Sequence, residues 1–303
     1  MKNGGTNNLI IDGNNLLYRI FWTNNFKLDE ENSPGQIFLF LRSLKSYVDK
    51  FQSKKIYCTW DKKLEWPSTN FRNEIITVDY KANRDDDKFK DVHEYSEKIQ
   101  EIISLLGVHN MYPLRMEADD LMAWLATHLS GKNVIVTTDK DLLQTISIDT
   151  KIYSPIKKKI VTLQNFEEYT GVTKDQYLNY RAVTGDKSDN IPGIPRYGLA
   201  RFKKLDLTKL TEEQQTVYER NLKLMDLSTG YDYYPDEVPI YEEQLKNCKK
   251  HKSNYTKFLE EAKKLNMWSI VRNYTSWRES FNNNENVLNI INKAIKNAQT
   301  KTT

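Results

Sequence analysis

Short apolar runs alternate with helical spacings along the first half of the chain. Leu9-Ile10-Ile11 reads as a buried strand that closes on Asp12-Gly13, and residues 16–21 read as a helix. From Gln36 to Phe51 the apolar positions 37, 40, 41, 44, 48 and 51 recur at steps of three and four, which predicts an amphipathic helix. Lys55–Trp60 predicts a second strand, ending at Asp61, and Val92–Leu106 returns to helical spacing. Glu117–Leu129 predicts a helix with Leu121, Met122, Leu125 and Leu129 inward. Asn133–Thr138 predicts a strand that runs into Asp139-Lys140-Asp141, and Lys151–Ser154 predicts one more. Strands alternating with helices imply an α/β fold, a mostly parallel sheet covered on both faces. Such sheets bind ligands outside the carboxyl ends of their strands. Asp12, Asp61 and Asp139 each follow a predicted strand, so the sheet would gather them at one edge.

The pattern changes further along. Residues 62–95 carry charge-dense patches, Tyr80-Lys-Ala-Asn-Arg84 and Asp85-Asp-Asp-Lys-Phe-Lys90, and predict loops and mobile helices. After about residue 165 the chain becomes helical and rich in Lys and Tyr, with a Pro/Gly hairpin over Ile191–Gly198. The expected organisation is an α/β core over 1–164 and a helical C-terminal lobe over 165–303. Residues 228–243 predict an acidic, Tyr-rich loop, and Asn284–Ala298 a final helix with an apolar stripe.

Composition narrows the chemistry. No stretch approaches the roughly 18 apolar residues of a membrane span, and residues 1–8 show no signal-peptide pattern, so a cytoplasmic protein is expected. Two distant cysteines, Cys58 and Cys248, form no metal knuckle, and four histidines lack the spacing of a zinc site. The net charge is +4.

Nine acids stand out by position: Asp12, Asp61, Glu117, Asp119, Asp120, Asp139, Asp141, Asp186 and Asp189. Singly, each has an ordinary explanation, as a partner of a helix dipole or as a turn former. Gathered at one edge, their repulsion would demand either raised pKa values or cations between them. Oxygen-only ligands favour Mg²⁺ or Mn²⁺ over zinc. A pair of such ions about 3.5–4 Å apart suits phosphodiester cleavage without a nucleophilic side chain. Setting the nine acids aside leaves about +13 on the rest of the chain, a surface suited to phosphates.

These motifs resemble the flap endonuclease/5′–3′ exonuclease family, and most closely its free-standing phage members, including those of phage RNase H type. The resemblance rests on Leu9-Ile-Ile-Asp-Gly-Asn-Asn15, Trp60-Asp61, Phe71-Arg72, Tyr80–Arg84, Glu117-Ala-Asp-Asp120, Thr138-Asp-Lys-Asp141 and Gly185-Asp-Lys-Ser-Asp-Asn190, in that order. It implies a PIN-like core, a helical arch over about residues 81–116, and a helix-hairpin-helix over about 185–204. It also implies a magnesium-dependent 5′ nuclease of DNA replication or repair. The substrates would be DNA with a 5′ flap, nick or 5′ single strand, and RNA–DNA hybrids for primer removal.

Carried across, Asp12, Asp61, Glu117 and Asp119 would hold a first metal. Asp120, Asp139, Asp141, Asp186 and Asp189 would hold a second. Lys81 and Arg84 would contact the scissile phosphate, with Asp139 beside them in catalysis, and Tyr80 would stack on a base. Arg72 would contact DNA. Gly193, Gly198, Arg201, Lys203 and Lys204 would grip the duplex backbone. There the chain departs from the family pattern: Arg196-Tyr-Gly198 replaces the second Gly-x-Gly, which puts a K⁺ site at the hairpin in question. The final helix would be core or a dock for a single-strand-binding protein or clamp, and the protein a monomer. A non-catalytic DNA-binding protein on the same fold and a PIN-like ribonuclease are the competing readings.

Overall fold

The computed structural model describes residues 7–23, 35–53, 55–61, 71–76 and 90–282. Its centre is a six-stranded sheet: β1 Asn8–Asp12, β2 Lys55–Thr59, β3 His109–Met111, β4 Asn133–Val136, β5 Thr150–Ser154 and β6 Lys159–Val161. The spatial order is β3-β2-β1-β4-β5-β6, parallel throughout except for the antiparallel edge strand β6.

The period of two along each strand divides the core. Leu9 and Ile11 of β1, Ile56 and Cys58 of β2, and Val134 and Val136 of β4 face one apolar cluster. Ile10, Tyr57, Ile135 and Ile152 face the other. Helices Gly13–Thr23, Gly35–Phe51 and Lys90–Leu105 cover the first face, and Ala118–His128 covers the second. Both clusters extend into the C-terminal stretch. Phe258, Ile270, Trp277 and Phe281 join the first, and Tyr177, Val183 and Tyr241 the second.

The strand order reverses between β1 and β4. Chain connections run outward from β1 through β2 to β3 on one side and from β4 to β5 on the other. That reversal opens a crevice at the carboxyl ends of β1 and β4, the ligand position of open α/β sheets.

Three expectations need correcting. β4 ends at Val136, two residues earlier than expected; the Thr137 N–H still donates to the Tyr153 carbonyl at 3.3 Å, and the Thr137 and Thr138 hydroxyls bond side chains at the edge. The stretch 228–243 is not a loop. It holds helix Gly230–Tyr233 and most of Glu237–Cys248, whose Pro239 sits in the first turn where proline is tolerated. Glu237, fully buried, anchors that start by accepting the backbone N–H groups of Leu114 and Arg115. Finally, the later part of the expected arch is core, since helix Lys90–Leu105 buries Ile99, Ile102 and Ile103. Residues 81–89 of that arch, and the final helix Asn284–Ala298, lie outside the described residues.

Candidate active site

Asp12 ends β1 at the switch point and is almost fully buried. Its Oδ2 accepts the Thr137 hydroxyl at 2.7 Å and its Oδ1 accepts the Asn15 backbone N–H at 3.0 Å. Thr137 Oγ1 accepts in turn from the Asp139 backbone N–H at 3.0 Å. One hydroxyl therefore links the acids that follow β1 and β4. Asn15 reinforces the link: its amide donates to Thr138 Oγ1 at 2.7 Å and its carbonyl accepts the Thr138 backbone N–H at 3.2 Å. Burial pushes the Asp12 carboxyl up to about 7, and the nearby charges of Asp139 and Asp61 push the same way, against the two hydrogen bonds. Close packing demands glycine at position 13, because a Cβ would lie 2.7 Å from the Trp60 ring and 2.8 Å from the Thr59 carbonyl.

Asp61 reaches the same edge from β2. Its Oδ2 accepts the Asn14 amide at 2.6 Å, and its Oδ1 accepts the Ala118 backbone N–H at 2.7 Å. The second bond ties Asp61 to the start of helix Ala118–His128, where N–H groups and the helix dipole favour an anion. Glu117 and Asp119 flank that N–H and are half-exposed.

Asp120 and Arg72 depart from expectation. Helical rotation turns Asp120 to the inner side of its helix, where it is fully buried. Arg72, 2% exposed, clamps its two oxygens at 2.9 and 2.7 Å and donates Nε to the Leu224 carbonyl at 2.9 Å. Asp120 Oδ2 also accepts the Glu117 backbone N–H at 3.1 Å. Burial raises the Asp120 pKa, with Arg72 opposing. Three hydrogen bonds, two of them from the guanidinium, thus hold the Asp120 carboxylate in the interior. Arg72 is likewise too deep to touch DNA. It is an internal strut joining helix Phe71–Ile75, helix Ala118–His128 and the C-terminal stretch.

The second group of acids gathers around a different arginine. Asp141, Asp186 and Asp189 each place a carboxylate oxygen within 4.8 Å of the others. Asp141 follows Asp139 in a tight turn, its N–H donating to Asp139 Oδ1 at 2.7 Å. Arg181, one turn before the end of helix Tyr177–Thr184, donates Nη2 to Asp141 Oδ1 at 2.6 Å and also to Asp186 Oδ2. Burial and the charge of Asp139 carry Asp141 up to about 7 despite Arg181. For Asp186, burial also raises the pKa, but the Ser188 hydrogen bonds and Arg181 outweigh it and hold the carboxyl below its usual value.

Gly185–Asp186 pairs with Ile191–Pro192 as a small antiparallel hairpin after that helix. Gly193 packs against it so closely that a Cβ would sit 2.3 Å from the Thr184 carbonyl, so packing alone demands glycine there. Gly198 stands in open space before the one-turn helix Leu199–Phe202. Arg201, Lys203 and Lys204 are exposed, with the Arg201 guanidinium 4.2 Å above the Tyr197 ring. Tyr80, Lys81 and Arg84 lie outside the described residues.

Sequence reasoning missed Thr137, the individual parts of Asn14 and Asn15, and Arg181. The two asparagines stand beside Asp12 in a motif already singled out. Arg181 carries no sequence signal, because nothing in its spacing distinguishes it from a surface cation.

A family profile described as the 5′–3′ exonuclease N-terminal resolvase-like domain matches residues 7–171. The 5′–3′ exonuclease of Buchnera aphidicola subsp. Schizaphis graminum (strain Sg) is 32% identical over 224 residues, covering 72% of this chain and 75% of its own length. That of Aquifex aeolicus (strain VF5) is 29% identical over 280 residues, covering 87% and 93%. Among solved structures, the bacteriophage T5 D15 flap endonuclease, in a pseudo-enzyme–product complex with DNA and metal ions, superposes with a TM-score of 0.63. It is 20% identical, with 80% of this chain and 99% of that one covered, a likeness of fold. The fold, the acids at its switch point and these matches agree: the chain belongs to the 5′–3′ exonuclease family.

Proposed function

We propose that the chain hydrolyses phosphodiester bonds of DNA at 5′ ends and 5′ flaps, using two divalent metal ions, with Mg²⁺ the natural one. The observation that supports this best is the convergence of Asp12, Asp61, Glu117, Asp119, Asp139 and Asp141 on one sheet edge, with Asp186 and Asp189 beside Asp141. The fit to hard cations follows from the donor set. All donors are carboxylates, and burial first, then the charge of neighbouring acids, raises Asp12 and Asp141 to about 7.

Asp12, Asp61, Glu117 and Asp119 would hold one ion, and Asp139, Asp141, Asp186 and Asp189 the other. Bound there, divalent ions activate water and stabilise charge on the attacking and leaving oxygens. The protein's part is orientation. Thr137 and Asn15 fix Asp12, Asn14 and the Ala118 N–H fix Asp61, and the Asp141 N–H fixes Asp139. Lys81 and Arg84 would neutralise the scissile phosphate, and Tyr80 would stack on a neighbouring base. Exposed Arg201, Lys203 and Lys204 would hold duplex phosphates. The fold kinship with a phage flap endonuclease fits a replication or repair role, with RNA primers as a further substrate.

The test is cleavage of an end-labelled 5′ flap beside nicked, blunt and RNA–DNA duplexes, with Mg²⁺ and with EDTA. Flap cleavage in Mg²⁺ alone is expected, and Asp139→Asn should abolish it while leaving flap binding intact. Tight binding without cleavage under any divalent ion would instead establish a non-catalytic DNA-binding protein.

A further inference from the structure

Arg181 sits where a cation of the second acid group belongs. Its Nη2 bonds Asp141 at 2.6 Å and Asp186 as well, while Asp189 completes a triad of carboxylate oxygens within 4.8 Å of one another. The Arg181 side chain is 8% exposed, so water does little to screen it. We propose that Arg181 is a resident counter-ion that neutralises this acid group in the metal-free protein and competes with the divalent ion for it. The inference rests on the reading that these acids bind metal, and it adds that the chain carries its own antagonist of that binding.

Three observations support a competitor over a fixed strut. First, the oxygens Arg181 occupies are those a divalent ion would need, because Asp186 Oδ1 is already taken by the Ser188 N–H and hydroxyl. Second, Arg181 Nε is buried with no hydrogen-bond partner. A settled structural arginine satisfies its donors, as Arg72 does with Asp120 and Leu224. Third, there is somewhere to go. Arg181 lines a cavity of about 580 Å³ with Thr138, Tyr180, Thr184 and Lys187, beside the acid group.

The electrostatics sets the direction. Three carboxylates and one guanidinium leave a formal charge of −2, so a divalent ion entering beside an unmoved Arg181 meets a cation in a poorly screened site. The second ion must therefore bind more weakly than the three acids alone would allow. Removing the guanidinium should strengthen metal binding at this group and weaken the metal-free fold.

Mn²⁺ binding followed by electron paramagnetic resonance, with thermal unfolding in EDTA and in Mn²⁺, tests this on the full chain without any substrate. Asp189→Asn identifies which Mn²⁺ site belongs to this group. Arg181→Met is expected to tighten that site at least tenfold, lower the melting temperature in EDTA, and enlarge the stabilisation by Mn²⁺. Arg181→Lys, which keeps the charge, should stay within about threefold of wild type, a pattern that lost packing would not produce. If Arg181→Met cannot be purified folded in EDTA, refolding it in Mn²⁺ gives the affinity by back-titration with chelator. Equal or weaker Mn²⁺ affinity in Arg181→Met, with flap cleavage by the wild type intact, overturns the inference alone. Absence of Mn²⁺ binding in both proteins overturns it together with the metal reading.

Discussion

Arg72→Ala separates two roles that the sequence could not. Were Arg72 a DNA contact, its loss would weaken flap binding and spare the fold. The structure requires the reverse. The substitution removes two bonds to a fully buried carboxylate and one to the Leu224 carbonyl, and leaves Asp120 charged and unpaired at 0% exposure. Breaking a buried pair from one side costs about 3–5 kcal/mol. At about 2–3 °C per kcal/mol for a chain this long, the melting temperature should fall by roughly 6–15 °C. The loss comes mainly from the stranded charge, so Arg72→Met combined with Asp120→Leu should recover most of it. Asp119→Asn, one residue away but half-exposed, should change stability by under about 0.5 kcal/mol in the absence of metal. Thermal and urea unfolding in EDTA measure all four proteins, and flap binding is measured below their melting temperatures. A loss under about 1 kcal/mol in Arg72→Ala, together with weakened flap binding, would refute the strut and restore the DNA contact.

Other outcomes follow from single observations. Thr137→Val keeps the shape but loses the hydroxyl shared by Asp12 and Asp139, and should lower kcat by about 10–100-fold, the scale expected when an outer-shell partner of a metal ligand is removed; an unchanged kcat would show that Thr137 does not position them. Gly13→Ala should cost roughly 1–3 kcal/mol in urea unfolding, since its methyl group meets Trp60 and the Thr59 carbonyl. Replacing Arg201, Lys203 and Lys204 by Ala should reduce the slope of log affinity against log salt by about 2.7, if each neutralises one phosphate. Burial first, then the charges of His251 and Lys55, hold His109 down at about 4 from an ordinary 6.5. The unfolded chain therefore binds the extra proton in that window, and stability should be full above about pH 6.5 and decline toward pH 4. His109→Gln should flatten that decline, as read by melting temperature across pH.

Four of the six strands were legible because their centres are short apolar runs, as in Leu9-Ile10-Ile11 and Val134-Ile135-Val136, buried on both faces. β3 and β6 escaped because each is three residues long, His109-Asn110-Met111 with one apolar member and Lys159-Ile160-Val161 with two. The helices at 230–248 escaped because an acidic, Tyr-rich and Pro-containing stretch reads as a loop, although Val238, Tyr241, Leu245 and Cys248 recur at helical spacing and face the second cluster; the start of the longer helix is held by the distant N–H groups of Leu114 and Arg115 on Glu237. The acids themselves were legible as a set, since each closes a strand or opens a helix. What a list of acids does not contain is which counter-charge each one meets.

The counter-charges sort the acids by how permanently each is satisfied. Asp120 is neutralised for good: it is wholly buried, and Arg72 spends its donors on it and on Leu224. Asp141 and Asp186 are neutralised provisionally, by one nitrogen of an arginine whose Nε has no partner. Asp12 has no basic partner among the described residues and is held only by a hydroxyl and a backbone N–H. An acid with a complete partner belongs to the fold, whereas an acid held in place and left without charge compensation is a site prepared for a cation. By that criterion Asp12 marks a site prepared for a cation, and the group around Arg181 fills only when the cation outcompetes the arginine. Two acids adjacent in sequence, Asp119 and Asp120, differ in depth, the first half-exposed and the second wholly buried. The hundred-degree turn between consecutive helical residues is what divides them.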